Sequence, residues 1–199
     1  MKTYTRCRVV SHPRAGSHWL YHLLRHNLVT RHAMAVDIEY GNHPFGSAWE
    51  LERDVLTVYI HRGQAATIDS IWRMRHRFGL DEYDREAFTD RWLCEMWSPD
   101  VRHRCAIVSA DGAETVSEGG PDTLLRDDAR TLPEYLRDHV NSWTRFVSNV
   151  NAFGPAPLAV VAYEDLRNDL DGTLAPIARQ LGSDLSTFED VRSVGWRPL

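Results

Sequence analysis

Val55-Leu56-Thr57-Val58-Tyr59-Ile60 is an almost unbroken run of apolar and β-branched residues. A strand with one wet face alternates apolar and polar positions. A run of this kind suits a strand covered on both faces, as in a parallel sheet. Parallel neighbours need crossover connections, and helices usually supply them. The chain after the run agrees. His61-Arg62-Gly63 forms a short break, and a helical pattern follows from about Gln64 to Arg77, with Ile68, Ile71 and Trp72 on its inner side.

The same succession occurs twice more. Cys7-Arg8-Val9-Val10 reads as a first strand, ended by Ser11-His12-Pro13-Arg14-Ala15-Gly16, and Leu20, Leu23, Leu24 and Leu28 mark one face of a helix from about Ser17. Leu158-Ala159-Val160-Val161-Ala162-Tyr163 reads as a third buried strand. Leu166, Leu170, Leu174, Ile177, Ala178 and Leu181 then form one helical stripe, with Gly182 at its C-terminal cap. Strand, turn and helix in threefold repetition predict an α/β fold with a central parallel sheet flanked by helices. With 199 residues and no Pro/Ser-rich linker, residues 1–199 are expected to form a single domain. Residues 80–150 read as helical and loop-rich. Phe88, Trp92 and Met96 make one stripe there, and Leu136, Val140, Trp143, Val147 and Val150 another. Ser109 to Pro121, with Gly112, Gly119 and Gly120, reads as a mobile loop.

A net charge of −5 disfavours a general nucleic-acid or membrane-surface binder, either of which usually carries a basic excess. No apolar run approaches the roughly 20 residues of a membrane span, and the first residues have no signal-peptide pattern. Cys7, Cys94 and Cys105 are widely spaced and form no C-x-x-C pair, so the expected compartment is the cytoplasm. Cys7 reads as core filler in the first strand. The ten His residues include neither H-E-x-x-H nor a cluster with ligand spacing, so no metal site is expected.

His12-Pro13-Arg14-Ala15-Gly16-Ser17-His18-Trp19 joins the first strand to the first helix. A turn in that place aims backbone N–H groups and the positive end of the helix dipole at one point, which suits phosphate or sulfate. Gly16 permits close backbone approach, Arg14 adds a cation with several donors, Ser17 adds a hydroxyl, and Trp19 offers a face to a base. Taken alone, the segment also fits an ordinary connection with Ser17 as a helix cap. A Walker-type phosphate loop needs G-x-x-x-x-G-K-[ST]. Here no Lys precedes Ser17, and no Gly stands five residues before Gly16. At the second turn, Arg62 ends a buried strand, where ligands of open α/β sheets gather. Ser70 lies eight residues later on the helix, and the pair is suited to a second anionic group. A surface or capping cation is the structural alternative for Arg62.

Together these segments resemble the sulfotransferase family that uses 3′-phosphoadenosine 5′-phosphosulfate (PAPS). Pro13-Arg14-Ala15-Gly16-Ser17-His18-Trp19 is similar to the family's 5′-phosphosulfate loop, usually P-K-S-G-T-T-W. Arg62 and Ser70 match, in type and spacing, the Arg and Ser that bind the 3′-phosphate. Tyr163-Glu164-Asp165-Leu166 matches the Y-E-D-L segment whose Tyr commonly meets adenine, and His139-Val140-Asn141-Ser142-Trp143 is like many bacterial members. Three departures stand out. Arg14 replaces the usual Lys and keeps its charge. Ala15 and His18 replace hydroxyl residues. Arg192-Ser193-Val194-Gly195-Trp196-Arg197 is a shortened form of the C-terminal R-K-G-x-x-G-x-W-K clamp.

The resemblance implies a sulfotransferase fold of the P-loop-NTPase-like kind and PAPS as sulfuryl donor without a metal; the small size of the chain suits a small-molecule acceptor, expected to be recognised by the 80–150 insertion. It implies nucleotide contacts from Arg14, Ala15, Gly16, Ser17, His18, Trp19, Arg62, Ser70, Tyr163 and Arg192. Arg14 is expected to stabilise the bridging oxygen during transfer. His43, in Gly41-Asn42-His43-Pro44, occupies the place of the family's catalytic base, and Glu39 and Asp37 are alternatives. Trp92, Trp97 and Trp143 suit either an acceptor pocket or, more simply, the core. The competing activities are a nucleotide or small-molecule kinase on a related scaffold and a catalytically silent PAPS-binding protein. Neither the acceptor nor the oligomeric state is legible at this level.

Overall fold

Strand β1 (Arg6–Ser11) lies at the centre of a parallel sheet, with β2 (Asp37–Tyr40) on one side and β3 (Val55–His61) on the other; β8 (Leu158–Ala162) pairs with the far edge of β3. The computed structural model describes residues 3–12, 14–41, 51–73, 84–90, 93–94, 103–108, 114–119, 126–127, 131–151 and 157–198. Every residue of β3 up to Ile60 is buried, as the apolar run requires. Its two faces serve two different layers. Leu56, Val58 and Ile60 join Cys7, Val9 and Ile38 beneath Leu20, Leu23, Leu24 and Leu28, while Leu174, Ile177, Ala178 and Leu181 complete the same cluster. Tyr59 and Val10 face the opposite way and pack on Trp143. Helices therefore cover both faces, and each fully buried Leu adds roughly 1.5–3 kcal/mol of burial energy.

Helix α1 (Ser17–Leu24) passes directly into wider π-helical turns at Arg25–Arg31. In helix α2 (Gln64–Trp72) the Arg73 N–H still bonds back to the Asp69 carbonyl, and the expected continuation to Arg77 lies outside the described residues. Helix α4 (Leu132–Asn151) begins at a reciprocal cap: the Thr131 N–H donates to the Glu134 carboxylate at 2.8 Å, and the Glu134 N–H donates to Thr131 Oγ1 at 3.3 Å. The stripe from Leu166 to Leu181 is divided between α5 (Tyr163–Asn168) and α6 (Leu170–Gln180). Asp169 makes the break, because its carboxylate accepts the Gly172 N–H at 2.9 Å and caps the second helix. Gly182 ends α6 at φ 84°, in the left-handed conformation its position calls for.

The segment expected to be helical and loop-rich departs further. Helix α3 (Arg85–Asp90) is short and holds Phe88, while Trp92 and Met96 of the expected stripe lie outside the described residues. Strands β4 (Leu93–Cys94) and β7 (Arg126–Asp127) pair, and β5 (His103–Val108) is flanked by β6 (Glu114–Gly119) and β9 (Arg192–Pro198) in an antiparallel sheet. Half of the proposed Ser109–Pro121 loop is therefore strand. Its partner β5 lies immediately upstream in the chain, whereas β9 reaches the other side of β5 from the far end of the described residues, a pairing of which local periodicity carries no record.

Candidate nucleotide site

The sheet order β2-β1-β3-β8 reverses direction at β1, so the chain ends of β1 and β3 diverge to opposite sides. Ligands of open α/β sheets gather at such a crevice, beyond the carboxyl ends of the strands. Both charged turns sit there. Arg14 occupies the left-handed region at φ 62°, and its Nε donates to Ser70 Oγ on α2 at 3.3 Å. One strand over, the Arg62 N–H donates to His12 Nε2 at 3.1 Å. The two turns are thus joined twice, once by side chains and once through the backbone.

The first turn closes on itself, with the Ala15 N–H donating to the His12 carbonyl at 3.4 Å. Gly16 stands before α1 at φ 98°, with no side-chain cap over the helix start. A β-carbon there would lie 2.6 Å from Tyr163 Cδ2, so the approach of Tyr163 requires glycine. Ala15 is fully buried beneath the turn. At the second turn the Arg62 amide is taken by His12, and the Gly63 amide donates to Glu164 Oε1 at 3.4 Å. This turn offers an anion its side chains rather than its backbone.

Arg62 lies with its guanidinium 4.3 Å over the Tyr163 ring. Its Nε is buried and has no hydrogen-bond acceptor among the described residues. Such an N–H leaves ~1–3 kcal/mol of desolvation uncompensated, and an anionic oxygen would satisfy it. Tyr163 opens α5 directly after β8 and tilts against Trp19, with ring centres 5.7 Å apart. The Trp19 indole N–H is already committed, to Asp190 Oδ1 at 3.1 Å and to the Val191 carbonyl at 3.0 Å. That contact fastens the start of β9, and hence the backbone of Arg192, beside the first helix.

Ser17 is buried, and its hydroxyl meets that of Tyr40 at 3.2 Å, while the His18 ring lies 4.3 Å from the Tyr40 ring. Tyr40, His12 and Glu164 are the residues that sequence reasoning did not assign. Only Tyr40 carries a local signal, as the last aromatic before Gly41 in a β2-like segment.

The candidate bases separate by position. Asp37 pairs with Arg6 and Glu39 with Arg8, five and three residues before the end of β1, which places them about 16 and 10 Å down the strand from the crevice. Burial alone would raise the Glu39 carboxyl, but hydrogen bonds and charge from Arg6 and Arg8 hold it below its usual range. The contacts are 2.6 Å from Arg6 and 2.8 Å from Arg8, and a carboxylate so clamped is a poor proton acceptor. His43 lies outside the described residues, as do Pro13, Trp92 and Trp97. Trp143 belongs to the core, stacked on Tyr59 at 4.0 Å. Cys7 is fully buried, and desolvation pushes its thiol up to about 12. Among the described residues, no group of three or more His, Cys, Asp or Glu is placed to hold a metal ion, and no helix is long and apolar enough to cross a membrane.

No family model matches the sequence, and no curated protein does. Among solved structures, the crystal structure of mouse sulfotransferase SULT7A1 complexed with PAP matches with a TM-score of 0.53 at 13% identity. The match covers 92% of this chain and 60% of that one. The chain therefore has a sulfotransferase-like fold and spans about three-fifths of that structure's length.

Proposed function

We propose that this chain is a sulfotransferase, moving a sulfuryl group from PAPS to a hydroxyl or amine of a small-molecule acceptor without a metal ion. The observation that supports it most is the junction of the two charged turns at the sheet's switch point. Arg14 reaches Ser70 at 3.3 Å, and Arg62 presents a buried Nε with no acceptor among the described residues. One nucleotide carrying anions at both its 3′ and 5′ positions would meet both.

In this reading Arg62 and Ser70 hold the 3′-phosphate, while Tyr163 steers Arg62 and, with Trp19, borders the base. The α1 N-terminus from Gly16 to His18, with Arg14, holds the 5′-phosphosulfate. Arg192 would approach from the strand that Trp19 fastens. PAPS supplies the activated sulfuryl group. Arg14 provides fixed positive charge where the leaving oxygen becomes anionic, so little reorganisation is needed at that moment. His43, two residues beyond Gly41 at the carboxyl end of β2, is assigned to take the acceptor's proton. The clamped state of Glu39 and the remote register of Asp37 support that choice. Residues 80–150 are assigned to acceptor recognition, and the cytoplasm is the proposed setting.

The test is incubation with PAPS and a panel of phenols, alcohols and amines in the presence of a chelator, followed for release of adenosine 3′,5′-bisphosphate (PAP). Acceptor-dependent release, with thermal stabilisation by PAP, supports the proposal. Stabilisation by ATP with magnesium but not by PAP would mean phosphoryl transfer instead. Stabilisation by PAP with no turnover on any acceptor would contradict the enzymatic part.

A further inference from the structure

The turn after β3 is held by its own backbone from the segments that follow both neighbouring strands: its Arg62 N–H by His12 after β1, its Gly63 N–H by Glu164 in α5 after β8. His12 is 2% exposed, and its ring meets that of His139 on α4 edge-on, at 6.0 Å and 79°. His139 is fully buried. An imidazole nitrogen that accepts a hydrogen bond carries no proton, so His12 is neutral, with its proton on Nδ1.

We infer that His12 is a positioning residue for Arg62. The inference rests on the functional reading above and adds to it a residue that never touches the nucleotide. By accepting the Arg62 amide at 3.1 Å, His12 fixes the root of the side chain from which the guanidinium leaves the strand. The Tyr163 ring, 4.3 Å from the guanidinium carbon, then fixes its far end. Between these two rests the buried Nε is held ready for an anion without further ordering, and such preorganisation raises affinity. His139 and the α4 helix back the His12 ring, which keeps the acceptor nitrogen aimed at the turn. The same hydrogen bond crosses from the β1 turn to the β3 turn, so the two anion sites keep a fixed separation.

Three variants test this. In His12→Gln the side-chain oxygen reaches about as far as Nε2 and can accept the amide; in His12→Asn it falls short; in His12→Ala it is absent. Amide hydrogen exchange at Arg62 is measured in the ligand-free protein, and PAP affinity is measured by calorimetry. The expected result is faster Arg62 exchange, by tenfold or more, in His12→Ala and His12→Asn, with PAP binding ~5- to 20-fold weaker. His12→Gln should recover most of both. Should His12→Ala fail to fold, the contrast between Gln and Asn carries the same information. Equal Arg62 exchange in the wild type and His12→Asn would overturn the inference, as would equal losses of affinity in the Gln and Asn variants. If the wild type ignores PAP, the functional reading falls together with the affinity consequence. Arg62 exchange then decides alone whether His12 holds the turn.

Discussion

Arg14 donates from Nε to Ser70 Oγ at 3.3 Å, linking the turn after β1 to the helix that follows β3. Arg14 makes this contact from a left-handed backbone conformation, φ 62°, that costs a non-glycine residue about 1 kcal/mol. A strained residue beside a helix N-terminus is a common feature of anion sites. Replacing Arg14 by Ala should lower single-turnover sulfuryl transfer by about 100-fold or more, while PAP affinity falls by less than tenfold. Rapid-quench kinetics with PAPS, set beside calorimetry, checks the split. A larger loss in affinity than in rate would remove Arg14 from charge stabilisation.

Gly16 is needed for two reasons at once, its φ of 98° and the 2.6 Å that a β-carbon would leave to Tyr163. Gly16→Ala should lose ~1–2 kcal/mol to the backbone conformation alone. It should also displace Tyr163 and weaken PAP binding about tenfold. Urea unfolding and calorimetry measure the two effects, and a variant as stable as the wild type would contradict the geometry.

The Glu39 carboxylate serves the sheet rather than the reaction. Glu39→Gln should lower the melting temperature by a few degrees at neutral pH and leave kcat unchanged. Its carboxyl titrates below the ordinary 4.5, so its contribution to stability is present above about pH 4.5 and is lost as pH falls through the lower folded value. A large drop in kcat at unchanged stability would make Glu39 a base after all.

His22 is buried in α1, and neither ring nitrogen has a hydrogen-bond partner among the described residues. Desolvation, with a smaller push from Arg25, lowers its pKa from 6.5 to about 4. The unfolded chain therefore takes up the proton first on acidification. Stability from this group is complete above about pH 6.5 and declines toward pH 4, by up to about 3 kcal/mol. His22→Leu should flatten that part of the curve and be the more stable protein at pH 5. Denaturation curves between pH 4 and 7 give the comparison, and parallel curves for the two proteins would refute it.

How far such features can be read from residues alone depends on where their partners lie. Strand β3 announces itself because both of its faces are buried, so nearly every residue in it is apolar. Arg6 and Arg8 disguise the start of β1, since their charges are balanced by Glu39 and Glu52, which lie far along the chain. The break at Asp169 is hidden because Leu166 and Leu174 are buried on either side of it as one continuous helix would bury them. Strand β9 pairs with β5 across nearly half the length of the chain, and no short window contains that pairing. At the site, Arg14, Arg62 and Tyr163 stand at strand ends and helix starts, and Ser70 lies in the last turn of the helix after Arg62, positions that motif spacing marks. His12 and Glu164 act on backbone amides 50 and 101 residues away, and nothing in their own neighbourhoods predicts it.

The most direct measurement is calorimetric titration of the ligand-free protein, in chelator, with PAP and with adenosine 5′-phosphate, repeated on Arg62→Ala. A charge-assisted contact to the 3′-phosphate predicts that the wild type prefers PAP by ~10- to 100-fold and that Arg62→Ala loses most of this preference. Equal affinity for the two nucleotides in the wild type, or a preference that survives in Arg62→Ala, would contradict it.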